Sequence, residues 1–129
     1  MARAIGQVSI VVADYDEAVA WYTQKLGFTL IEDTPLGQGK RWVVVAPDDG
    51  SAMRLLLARA VGAEQEAAIG NQAGGRVFLF LETDNFERDH AEMIRRGVVF
   101  REPPRREAYG TVAVFCDLYS NLWDLIQKA

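Results

Sequence analysis

A chain of 129 residues, half of them apolar, is long enough to bury a real core in one compact body. Its net charge of −4 speaks against nucleic acid as a partner, because phosphates call for a basic surface. One cysteine, Cys116, excludes an intrachain disulfide, and no apolar run approaches the ~20 residues of a membrane span.

The first residues, Met1 to Gly6, carry no apolar stretch of signal-peptide length, so a cytoplasmic protein is expected. Val8 to Val12 is a short β-branched run and predicts a strand. Asp14 then offers a side-chain oxygen at a helix N-cap, with Glu17 at the spacing of a capping box. Ala18, Trp21, Tyr22 and Leu26 recur at helical spacing, and Gly27 ends the helix. Phe28–Ile31, Trp42–Ala46 and Met53–Leu57 predict further strands, with turns over Pro35–Gly39 and Asp48–Ser51. Residues 59–75 connect this half to the next. A short helix is expected over Ala63–Ile69, and the segment is the one expected to be mobile or to arch over a pocket.

The plan then repeats 70 positions on: Asp14 returns as Asp84, Glu17 as Glu87, Gly27 as Gly97, Glu32 as Glu102 and Leu55 as Leu125, with no gap needed. Val77–Leu81 predicts a strand. Phe86–Arg96 predicts a helix capped at Asp84, followed by strands over Val98–Arg101, Gly110–Cys116 and Leu122–Gln127. The expected fold is α+β, two tandem βαβββ modules over residues 4–58 and 76–129, with helices outside a cupped sheet. A concave surface of that kind is the default place for a small molecule.

Little else in the chain carries chemistry. His90 shares a helix face with Phe86 and Met93 and reads as a packed side chain. Cys116 reads as buried and inert, with no basic neighbour in view. Arg101, Arg105 and Arg106 alternate with Glu102 and Glu107 and read as a solvated cluster. Trp123 and Phe80 are expected under the helices. There is no P-loop, dinucleotide fingerprint or nucleophile elbow.

Paired βαβββ units, the opening QVSIVVADYDEAVAWYTQKLGF and the closing DLYSNLWDLIQ resemble the vicinal oxygen chelate superfamily of glyoxalase I, extradiol dioxygenases and bleomycin-binding proteins. The closing motif departs from the usual form: Leu118 stands where proline is common, and Ser120 where glycine is common. Enzymes of this group hold a divalent metal inside the cup. The resemblance and the duplication put the ligand positions on Gln7, Val77, Arg54 and Asp124. Strand alternation points Arg54 and Asp124 away from their apolar neighbours, into the cup.

Those four side chains make a poor metal site. Asp124 and Gln7 offer oxygen, Val77 offers nothing and Arg54 repels a cation. A catalytic zinc-type site wants about three protein ligands. A dioxygenase iron needs two histidines, and the chain has one. The expectation is therefore an Arg54–Asp124 ion pair in place of the metal, which reads equally well as a purely structural bridge. Trp42, Tyr109 and Phe115 are candidates to line the cup. The resemblance implies a cofactor-free binder of an anionic small molecule, in a homodimer. The alternative is a lyase or isomerase of the lactoylglutathione lyase type, with a divalent metal on Gln7 and Asp124 and Asp124 as base.

Overall fold

A computed structural model describes residues 2–51 and 53–129. The chain forms two compact units, Met1–Ile69 and Gly70–Ala129. Each is a mixed α and β unit built on its own sheet, one of four strands and one of five. Among the described residues, no helix is long and apolar enough to cross a membrane.

In the first unit, β1 (Gln7–Val12) leads into α1 (Tyr15–Gln24), then β2 (Thr29–Gly37), β3 (Lys40–Ala46), β4 (Arg54–Arg59) and the short α2 (Ala63–Ala68). The sheet order is β1-β4-β3-β2, with β1 and β4 parallel. The expected cap is present: Asp14 Oδ2 accepts from the backbone N–H of Glu17 at 2.8 Å. Gly27 ends the helix at φ 72, a left-handed turn that a side chain would strain. Ala18 and Tyr22 of α1 are buried, as are Ile10, Val12, Val43, Val45, Leu55 and Leu57 of the sheet. Alternate residues thus form the core, the other set facing away from the helix.

The hairpin between β2 and β3 is tighter than the sequence predicts. β2 runs on through Pro35 to Gly37, and only Gln38 and Gly39 turn the chain, at φ 57 and 78. Two successive positive φ values are the two-residue turn whose twist matches a hairpin. Proline is tolerated in β2 because that strand is the edge of its sheet.

In the second unit, β5 (Val77–Glu82), α3 (Phe86–Arg95), β6 (Val99–Phe100), β7 (Arg105–Glu107), β8 (Gly110–Cys116) and β9 (Leu122–Lys128) follow in order. The sheet runs β5-β9-β8-β6, with the short β7 also paired to β8. β7 was not expected; it forms after the Pro103-Pro104 break, where Arg105 to Glu107 pair back onto β8.

The cap of α3 is Asn85 rather than Asp84. Asn85 Oδ1 accepts from the Arg88 N–H at 3.0 Å, while Asp84 pairs with the Arg88 guanidinium outside the helix. Both helices have ten residues, but α3 starts 71 positions after α1, while the strands on either side keep the spacing of 70, so the helix alone is shifted by one residue.

The connecting segment is fastened at its far end. Gln72 N–H donates to Asn121 Oδ1 at 3.3 Å, and Asn121 is held by Asp117 through its backbone and side-chain nitrogens at 2.9 Å. Gly70 lies so close to the Tyr119 carbonyl that a Cβ would come within 2.0 Å of the oxygen. Ser120, in the same turn, adopts φ 75, the left-handed conformation for which glycine is suited.

Candidate functional site

The parallel pairing of β1 with β4 sets Gln7 beside Arg54 and Ser9 beside Leu56. Val44 in turn lies opposite Leu56. Paired residues share a face, so Gln7, Arg54, Leu56, Val44 and Trp42 all stand on the side of the sheet away from α1. Three of the sequence-predicted site residues, Gln7, Arg54 and Trp42, are thereby brought to one face. Trp42 leaves 37% of its surface exposed, enough to meet a ligand.

In the second unit, Asp124 sits on β9 with Phe80 of β5 on one flank and Val114 of β8 on the other. The side chain is buried to 9% exposure, and among the described residues its Oδ1 has no hydrogen-bond partner. Burial raises its pKa; Arg105 opposes that rise and Glu102 adds to it. Glu102 Oε1 accepts from Arg105 Nε at 2.9 Å and from Val114 N at 3.3 Å. Arg105 lies opposite Val112, hence on the face of Asp124, and the Tyr109 side chain is among its hydrogen-bond partners. The arginine–glutamate cluster that reads as solvated surface therefore includes the charges that act on Asp124.

Phe80 also departs from expectation. It is 61% exposed and stands beside Asp124, not under the helix. The register explains it. Gln7 meets Arg54 in the first unit, but the repeat-equivalent Val77 meets Leu122, and Phe80 takes the place next to Asp124. A bulge between Val77 and Leu79 brings the net shift to three residues, and an odd shift turns the alternate side chains to the other face.

Phe115 lies on the helix side. It is fully buried, with its ring 5.6 Å from Phe100 and 5.7 Å from Trp123, its register partner. It belongs to the core of its unit and not to the face of Asp124. Tyr109 is 53% exposed. His90 is packed as expected, 5.3 Å from the Phe86 ring and 4.5 Å from Phe100, and burial lowers its pKa. Cys116 is buried, but it has a basic neighbour: Arg101 Nε lies 2.7 Å from its Sγ.

Among the described residues, no group of three or more histidine, cysteine, aspartate or glutamate side chains could hold an ion. The strand position beside Asp124 carries the hydrocarbon ring of Phe80.

Residues 4–125 match the family model described as the Glyoxalase/Bleomycin resistance protein/Dioxygenase superfamily. The chain belongs to that superfamily. It is 57% identical to an uncharacterized protein of Shewanella frigidimarina over 98% of this chain and 95% of the relative. Among solved structures it is similar to UcmS2, at 30% identity and TM-score 0.83, covering 98% of both chains. It is also similar to TnmS3, an antibiotic binding protein from Streptomyces sp. CB03234, at 28% identity and TM-score 0.79, over 99% of this chain and 98% of the other.

Proposed function

We propose that this superfamily member is a metal-free, non-covalent binder of a small molecule, of the drug-sequestering kind, acting in the cytoplasm as a homodimer. The observation that carries the reading is the Asp124 carboxyl: a buried oxygen without a partner, beside an exposed aromatic ring. A buried polar atom left unsatisfied costs stability, and a ligand that supplies the missing hydrogen bond recovers it. Phe80 and Tyr109 give flat apolar area on the second unit, and Trp42 gives it on the first. Arg54 anchors an anionic group on the ligand, and Gln7 adds an amide beside it. The likeness to an antibiotic binding protein supports the reading.

The test is a thermal-shift and calorimetric screen of planar aromatic antibiotics, including nalidixate and its neutral ethyl ester. Nalidixate should bind, and Arg54→Gln should weaken it about tenfold while changing the ester little, as expected for one charge-assisted contact. Equal loss for acid and ester removes the anion anchor. No binding across the screen removes the binder reading. Stoichiometric nickel, zinc, manganese or iron in the purified protein, lost in Asp124→Ala, overturns the metal-free assignment. A monomer at micromolar concentration in sizing chromatography overturns the dimer.

The raised pKa of Asp124 favours one second reading, a lyase or isomerase of the lactoylglutathione lyase type with Asp124 as the proton-moving base. Turnover of the methylglyoxal–glutathione hemithioacetal, abolished in Asp124→Asn, would select it.

A further inference from the structure

β3 and β4 are paired at only two positions, Val44 with Leu56 and Val45 with Leu55, and then separate. Tyr15, from the first turn of α1, wedges the separated ends. Its hydroxyl accepts the Arg41 backbone N–H at 3.2 Å, and its ring lies 5.0 Å from the Arg41 guanidinium and 5.3 Å from that of Arg59. The result is a notch of about 770 Å³ within the first unit, walled by Leu36, Trp42 and Val61 and by three cations, Lys40, Arg41 and Arg59.

Among the described residues, no acidic side chain lines this notch, in a chain whose net charge is −4. Arg41 is neutralised from outside it by Asp16 at 2.9 Å and Asp33 at 2.7 Å. Among the described residues, neither Lys40 nor Arg59 forms an ion pair, and both are exposed. Both line the notch, and Arg59 reaches the hairpin turn beside Lys40: a Cβ at Gly39 would lie 3.3 Å from Arg59 Nη2. Two unbalanced cations beside an apolar wall suit a dianion on a flat hydrocarbon body.

We propose that this notch is a second binding site, for a small phosphomonoester carrying a flat aromatic group. Its cations are separate from the Arg54 anchor, although Trp42 borders both. Arg59 stands five residues further along β4, about 16 Å away at strand rise, and its side chain points to the helix side.

Calorimetry with 1-naphthyl phosphate, 1-naphthol and inorganic phosphate tests it. The phosphomonoester should bind one per chain at the notch, each parent fragment at least about tenfold more weakly. Arg59→Gln and Lys40→Gln should each weaken 1-naphthyl phosphate about tenfold, Arg59→Lys should restore most of the loss, and added salt should weaken binding. Arg54→Gln should leave it unchanged. No binding of 1-naphthyl phosphate, or wild-type affinity in a folded Arg59→Gln protein, overturns the proposal. Loss in Arg54→Gln but not in Arg59→Gln also overturns it, by placing the anion at the other site. Nalidixate binding reports on the Arg54 anchor independently.

Discussion

The two units share a plan and differ in what they present. In the first, the face away from the helix carries a cation, Arg54, next to an amide, Gln7. In the second, the matching strand carries a buried carboxyl, Asp124, next to a phenyl ring, Phe80. The helix-side faces stay alike, since both must fill a core, and Tyr22 and Met93 are buried at corresponding turns of α1 and α3. Packing constrains one side of each sheet, and the other side is free to diverge.

The comparison can be broken hardest at its conserved side. Tyr22→Ala should cost about 3–5 kcal/mol and Met93→Ala about 2–5 kcal/mol, by loss of transfer energy and the cavity left behind. Denaturant melts would show it. A loss under about 1 kcal/mol at either site would mean that the corresponding turns are not equivalent core.

The divergent side should respond to pH. The folded-state pKa of Asp124 lies above its ordinary 3.8, so ionising it disfavours the folded state. The contribution of Asp124 is therefore full below pH 3.8 and is lost as pH rises through the raised value. Asp124→Asn removes that loss and should be more stable than wild type at neutral pH, with the gap closing in acid. A gap that widens in acid would reverse the sign of the shift.

The turns and caps give smaller effects. Ser120→Gly should add roughly 1 kcal/mol by relieving a left-handed backbone. Asp14→Ala and Asn85→Ala should each cost about 1 kcal/mol, and Asp84→Ala less than about 0.5 kcal/mol. If Asp84→Ala matched Asn85→Ala, the cap of α3 would sit at the repeat position after all.

The elements that local chemistry decides were legible in the sequence. β8 begins and ends where its apolar run does, and α1 starts at the residue whose oxygen can cap it. Gln7 and Arg54 were found together because two strands of one unit keep the expected register. What was hidden depends on partners. Asp84 and Asn85 are both good caps; Thr83 decides between them, its hydroxyl accepting the Asn85 N–H at 3.0 Å and fixing the turn. Phe80 looks like any core phenylalanine, and only the pairing of β5 with β9 turns it outward. Arg105 reads as surface until β7 folds back and sets it on the face of Asp124.

In each unit the opening strand lies against the closing one, so Gln7 waits for Arg54 and Phe80 for Asp124. During synthesis, neither sheet can close until its final strand has left the ribosome, since the interior strands alone do not hold the first. β9 is the keystone of its sheet: it carries β5 on one edge and β8 on the other, and cutting it away would scatter the strands on both sides rather than trim the molecule.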